Sequence, residues 1–110
     1  MTGLQHAAQP VIVGLPAEID VVNAESVYDQ LCSACAPGFA VVADLTSTTL
    51  CDSLGAWQMV LAHRHARAAG AELRLAVPTG AVRRVLELLG LDQVLLLYPS
   101  VESALSAAGR

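Results

Sequence analysis

Three groups of residues have the types and spacing to do chemistry. The first is Asp52-Ser53, within Thr48-Thr49-Leu50-Cys51-Asp52-Ser53-Leu54-Gly55. This stretch lies between a short apolar run, Phe39 to Leu45, and a long helical pattern, Trp57 to Ala69. A hydroxyl at such a junction can cap the helix, act as a nucleophile or accept a phosphate. Acyl transfer would call for the Gly-x-Ser-x-Gly elbow. Ser53-Leu54-Gly55 supplies its second half, but Cys51 occupies the place of the first Gly, which permits the strained turn. The histidines that could serve as base fall on the following helix itself or among the first few residues, and neither place suggests a triad. No catalytic residue is expected, and the chain is read as a protein that is not an enzyme.

The second group is Cys32-Ser33-Ala34-Cys35, which has the spacing of a redox dithiol. Such a pair works when the first Cys sits at a helix N-terminus, where the dipole lowers its pKa; here both fall in a helix's last turn. They are read as ordinary small residues. The third is His63-Arg64-His65. Two His at i and i+2 point to different sides of a helix, unlike the i, i+4 spacing of metal sites, so no metal is expected. Neither a Walker sequence nor Gly-x-Gly-x-x-Gly is present, and no nucleotide or other cofactor is expected.

The elements that must position these groups follow from composition and pattern. The chain has 110 residues, 55% hydrophobic and 15% charged, enough for one domain, 1–110, with its own core. The apolar content is mostly Ala, Leu and Val, which suits thin helices packed closely on a sheet. No apolar stretch is long enough for a membrane span, and Met1-Thr2-Gly3-Leu4-Gln5-His6 lacks the marks of a secretory signal. Three cysteines give no disulfide framework, so a reducing cytoplasm is the expected location. The net charge of −4 argues against nucleic acid as a partner. The first 52 residues hold six acids (Glu18, Asp20, Glu25, Asp29, Asp44, Asp52) and no Lys or Arg, whereas Arg64, Arg67, Arg74, Arg83 and Arg84 all come later. If Asp20 and Asp52 are close in space, their neighbourhood is electronegative.

Pro10 to Leu15 reads as a strand, with a weaker strand before it at Leu4 to Ala7, and Pro16 to Asp20 as a connection. Asn23 is expected to cap a helix through about Cys35, buried through Ala24, Val27, Leu31 and Ala34. Phe39 to Leu45 has the unbroken apolar character of a central parallel strand. A helix over 53–69 follows, ended by Gly70, then a strand over 71–77 in which Leu73 and Leu75 alternate with Glu72 and Arg74. Thr79 is expected to cap a helix over 80–89. Val94 to Tyr98 is the last strand, and Ser100 caps a final helix. This alternation predicts an α/β fold: a mixed, mainly parallel β-sheet of four to five strands with about four α-helices.

The helix over 53–69 is apolar on two sides. Ala56, Met59, Val60, His63 and Ala66 form one face; Leu54, Trp57, Leu61 and Ala68 form another, nearly opposite. Periodicity does not say which one packs on the sheet. If the Leu54–Trp57 face is turned outward, it sets the only Trp one turn beyond Ser53, where an interface would place an aromatic anchor.

Taken in order, Ile19-Asp20, Val41-Val42-Ala43-Asp44-Leu45, Cys51-Asp52-Ser53-Leu54-Gly55, Leu73-Arg74-Leu75-Ala76-Val77-Pro78, the segment 82–91 and Ser100-Val101-Glu102-Ser103-Ala104-Leu105 resemble a STAS domain, the sulphate transporter and anti-sigma-factor antagonist family. The resemblance covers nearly the whole chain. Among its stand-alone bacterial members, the antagonists of anti-sigma factors (anti-anti-sigma factors), it implies that Ser53 is the residue phosphorylated by a serine-kinase anti-sigma factor. It also implies that Asp52 is the motif acid and that Asp20 lies near the phosphorylation site. Asp20, Asp52, Leu54, Gly55 and Trp57 are then the expected partner-binding residues. The unmodified protein would bind the anti-sigma factor and release the sigma factor, and phosphorylation would end that binding. Leu54 stands where such antagonists commonly carry Ser or Thr, Ala17 replaces a usual Gly, and Trp57 is bulkier than the residue common there. The expected partners are thus an anti-sigma factor of the serine-kinase type and, weakly, a second copy of the chain, with no nucleic acid and no membrane. The alternative is a STAS subunit docked permanently in a larger assembly, such as a lipid-transport ATPase or a stressosome-like complex, without a phospho-switch.

Overall fold

The computed structural model describes residues 10–107, so the weak strand expected at Leu4 to Ala7 lies outside the described residues. In chain order the elements are β1 (Val11–Gly14), β2 (Glu18–Ile19), α1 (Ala24–Ser33), β3 (Ala40–Asp44), β4 (Leu50–Cys51), α2 (Ser53–Ala68), β5 (Glu72–Ala76), α3 (Ala81–Leu88), a 3₁₀ turn (Leu91–Gln93), β6 (Leu96–Tyr98) and α4 (Val101–Ser106). Four strands form one sheet in the order β1-β3-β5-β6, with every neighbouring pair parallel; Val41, for example, lies opposite both Val11 and Leu73. The expected α/β class and mainly parallel sheet are therefore what the chain adopts.

Strand β3 is central and buried on both faces, which is why its sequence shows no polar alternation. Its odd-numbered residues, Val41 and Ala43, join Leu73 and Leu75 under α1, α2 and α3, in a core that includes Val27, Leu31, Met59, Val60 and Leu86. The even-numbered side is thinner: Val42 and Ala76 pack against Ala104 of α4. Arg74 also points to that side and is buried. Its Nε donates to Glu72 Oε2 and its Nη1 to the carbonyl of Ala104, both at 2.8 Å, so the charge is neutralised and the last helix is tied to the sheet. Ser100 caps α4 as expected, in a reciprocal box with Ser103. Gly70 ends α2 at φ +77°, where a residue with a side chain would be strained.

Three local expectations are corrected. The segment Pro16 to Asp20 is not merely a connection: Glu18–Ile19 pairs in parallel with Leu50–Cys51 as a separate two-stranded ladder. Asn23 precedes α1 without capping it. Its Oδ1 accepts from Asp20 N at 3.0 Å and its Nδ2 donates to Glu18 O at 2.7 Å, so the side chain faces back along the loop. Thr79 does not cap α3, whose N-cap is Gly80 and which has no side-chain cap bond.

Candidate functional site

The two-stranded ladder carries the site. Parallel pairing sets Ile19 beside Cys51, and Asp52 N donates to Ile19 O at 3.1 Å, so the next residues along the two strands, Asp20 and Asp52, leave the ladder side by side. One carboxylate ends a strand at the start of α1 and the other at the start of α2. No Arg or Lys precedes Arg64 in the chain. Each carboxylate is held by a backbone donor: Asp20 Oδ1 accepts from Val22 N at 3.0 Å, and Asp52 Oδ1 accepts from Gly55 N at 2.8 Å.

That last bond assigns the helix cap. Asp52, in extended backbone conformation, is the N-cap of α2, and Ser53 is its first helical residue. A cap role for Ser53 is therefore overturned, because the neighbouring carboxylate already satisfies the orphan N–H of Gly55. Ser53 itself is exposed, and its hydroxyl makes no hydrogen bond among the described residues. It is a free hydroxyl at a helix start, directly after the capping Asp52.

Gly55 owes its place to a close approach. A Cβ there would come within 2.7 Å of Ile19 Cγ2 and 3.1 Å of Cys51 Sγ. The residue is buried, so its part in the site is to let the first turn of α2 settle on the ladder, and not to touch a partner with a side chain. Cys51 beneath it is buried too. Burial, helped by the adjacent Asp52, pushes its thiol up to about 11, so it stays protonated and is no substitute nucleophile at neutral pH.

The two faces of α2 are now assigned. Ala56, Met59, Val60, His63 and Ala66 are all buried, while Leu54 is 41% and Trp57 48% exposed, with Leu61 half-buried and Ala68 exposed. Ser53 and Trp57 are four residues apart and therefore neighbours on one helical face. Sequence reasoning missed three further apolar residues at this end of the molecule: Val21 at 70%, Val22 at 88% and Leu50 at 48% exposure. Val21 and Val22 form the turn directly after Asp20, and Leu50 directly precedes Cys51. An apolar pair placed after an acid in a loop was the signal available, but only the ladder shows that the loop shares an end with α2.

The structure gives no support to the other chemistries. His63 is ten residues along α2 from Ser53, about 15 Å of helix rise away, and buried. His65 is exposed with its ring edge-on to Tyr28, so the two histidines diverge. Cys32 and Cys35 are free thiols at the end of α1; burial and the neighbouring Cys32 push the Cys35 thiol up, the reverse of redox activation. Among the described residues, no helix is long and apolar enough to cross a membrane.

Comparison with known proteins converges on one family. The family model for the STAS domain matches residues 3–104. The chain is 33% identical over 107 residues to the anti-sigma-F factor antagonist RsfA of Mycobacterium tuberculosis, covering 94% of this chain and 84% of that protein. An anti-sigma factor antagonist from Mycobacterium paratuberculosis superposes with a TM-score of 0.73 at 27% identity, over 89% of this chain and 84% of that one. A Thermotoga maritima protein described as a candidate anti-sigma factor antagonist gives 0.74 at 21% identity, over 87% and 84% of the two chains, which speaks for the fold alone. With the family model covering most of the sequence, the chain belongs to the STAS domain family.

Proposed function

We propose that this protein is an anti-sigma-factor antagonist that binds a serine-kinase anti-sigma factor through the start of α2 and is switched off by phosphorylation of Ser53. The observation that carries this is the cap assignment: Asp52 takes the structural task at the helix start, and Ser53 is left exposed with a free hydroxyl. The similarity to anti-sigma factor antagonists supports the partner class. Leu54 and Trp57 supply the exposed apolar surface that a protein interface buries, and Asp20 and Asp52 give it a negative rim.

The switch follows from electrostatics. A phosphate on Ser53 adds about −2 charge beside Asp52 and near Asp20, and closing an interface over it would desolvate three acidic groups together. A penalty of about 3 kcal/mol lowers affinity roughly a hundredfold, which suffices to separate bound from free at ordinary cellular concentrations. In this reading the protein acts by binding, and the phosphoryl transfer to Ser53 is the kinase's work.

The test is calorimetric titration of the cognate anti-sigma factor with three variants. Ser53→Ala is expected to bind within a few-fold of the wild type, and Ser53→Asp to bind far more weakly. If both variants bind like the wild type, the switch is refuted. Permanent docking in a larger assembly is favoured instead if Trp57→Ala abolishes association while Ser53→Asp leaves it intact, since Trp57 then acts as an anchor and Ser53 as a bystander.

A further inference from the structure

The far end of α2 walls a second feature that neither the fold nor the Ser53 site uses. Between α2, the start of β5 and the edge strand β6 lies an open cavity of about 380 Å³, lined by His63, Arg67, Ala71, Glu72, Leu73, Val94 and Leu96. We propose that this cavity binds a small aliphatic carboxylate, its head group held by Arg67 and His63 and its chain lying along Ala71, Leu73, Val94 and Leu96.

The polar side of the cavity is built for one negative charge. Arg67 and His63 are four residues apart on α2 and so share a face. Arg67 has no acidic side chain within ion-pair distance among the described residues, whereas Arg74 and Arg83 are both paired. Its planar guanidinium matches a carboxylate bidentately. His63 is 9% exposed, and its Nδ1 is buried with no hydrogen-bond partner among the described residues. Burial and the neighbouring Arg67 lower its pKa, so the ring is neutral at pH 7 and carries one proton. A buried imidazole with an unmatched ring nitrogen, beside an arginine that has no acidic partner among the described residues, suits an incoming carboxylate.

Glu72 sets the charge of that anion. One of its oxygens, Oε2, is taken by Arg74 at 2.8 Å, which offsets most of its field without abolishing it. A monoanion is therefore tolerated, and a dianion such as a phosphate monoester is disfavoured by repulsion. The apolar wall sets the body. Leu73 is buried and Leu96 half-buried, while Val94 is 46% exposed and would be covered by a bound chain. A cavity of about 380 Å³ is at the low end for small-molecule sites, and at roughly 30 Å³ per water-sized group it holds about a dozen heavy atoms. Octanoate has the right charge and size.

The experiment is a titration of the full, isotopically labelled chain with octanoate at pH 7, read from backbone amide shifts. Saturable shifts are expected at His63, Arg67, Ala71, Glu72 and Val94. Octanol, which lacks the charge, should bind at least about tenfold more weakly, and Arg67→Gln should weaken octanoate about tenfold. Arg67 is exposed, so that variant keeps the fold, and unchanged shifts elsewhere verify it. Absence of saturable shifts at these residues overturns the proposal. So does equal binding of octanol, an Arg67→Gln variant that binds like the wild type, or tighter binding of octyl phosphate than of octanoate. None of these outcomes depends on Ser53 or on an anti-sigma factor.

Discussion

The first turns of α2 and its last turns are cut from similar material, small apolar residues interrupted by a few polar ones, yet the fold treats them oppositely. At the start, apolar side chains are left in solvent: Leu54 and Trp57 are exposed, and the polar residue that matters, Asp52, is spent on a backbone N–H. Toward the end, the apolar residues Ala62 and Ala66 are buried and a polar side chain, His63, is buried with them, while Arg67 stands unpaired at the rim. The start rests on a two-residue ladder, and the end rests on the main sheet through β5. Where a helix sits on a short ladder, its outer face has no neighbour and becomes available to a partner. Where it sits on a broad sheet beside an edge strand, the gap at its flank becomes a cavity. One helix thereby presents an exposed apolar end and an end flanked by a cavity.

The sharpest way to break this contrast is at the contact that seats the first turn. Gly55→Val places two methyl groups where even a Cβ would meet Ile19 Cγ2 at 2.7 Å. Overpacking of that kind costs about 1–3 kcal/mol, measured as a lower midpoint in urea unfolding. The matching change at the other end, Ala68→Gln on the exposed face, should stay within about 0.5 kcal/mol. If Gly55→Val is as mild as Ala68→Gln, the helix start is not seated on Ile19 as described.

A smaller effect separates two adjacent residues. Asp52→Ala removes the cap to Gly55 N and should cost about 1 kcal/mol, whereas Ser53→Ala should change stability by less than about 0.5 kcal/mol. The reverse order would return the capping task to Ser53 and remove the argument that its hydroxyl is free for modification.

Much of this was legible in the sequence, and the failures have physical causes. The central strand announced itself through Val41-Val42-Ala43, because burial on both faces leaves no polar alternation to confuse with a surface strand. The strands of the ladder did not, since Glu18–Ile19 and Leu50–Cys51 are two residues each and carry no period. Caps were misassigned where equivalent residue types compete. Asn23 and Asp52 both stand before a helix, but only Asp52 turns its side chain into the first turn; Asn23 is drawn back to Glu18 and Asp20 by partners that exist only once the loop has folded. The two apolar faces of α2 were drawn correctly, yet periodicity says which residues share a face and not which face is inward. Size decides it here: Gly55, Ala56, Ala62 and Ala66 line the inner side and let the helix approach closely, leaving Trp57 no room except outside.

The smallest effect tests the other end of the comparison. His63 is buried and its pKa is lowered, chiefly by burial and secondarily by Arg67, with Glu72 opposing. The unfolded chain, whose imidazole titrates near 6.5, therefore takes up a proton at a higher pH than the folded chain does. Stability contributed by the neutral ring is fully present above about pH 6.5 and falls as the pH drops below it toward the folded-state value. Other groups titrate lower, so the effect must be isolated by difference. His63→Met conserves much of the volume and removes both the proton and the orphaned Nδ1, so its stability at pH 7 should lie within about 1.5 kcal/mol of the wild type. Between about pH 7 and pH 5.5, urea unfolding should show the wild type losing more stability than His63→Met. Equal losses would mean that His63 takes its proton as readily folded as unfolded. A larger loss in the variant would mean that the folded state prefers the charged ring. Either result would remove the neutral ring on which the cavity at this end of α2 depends.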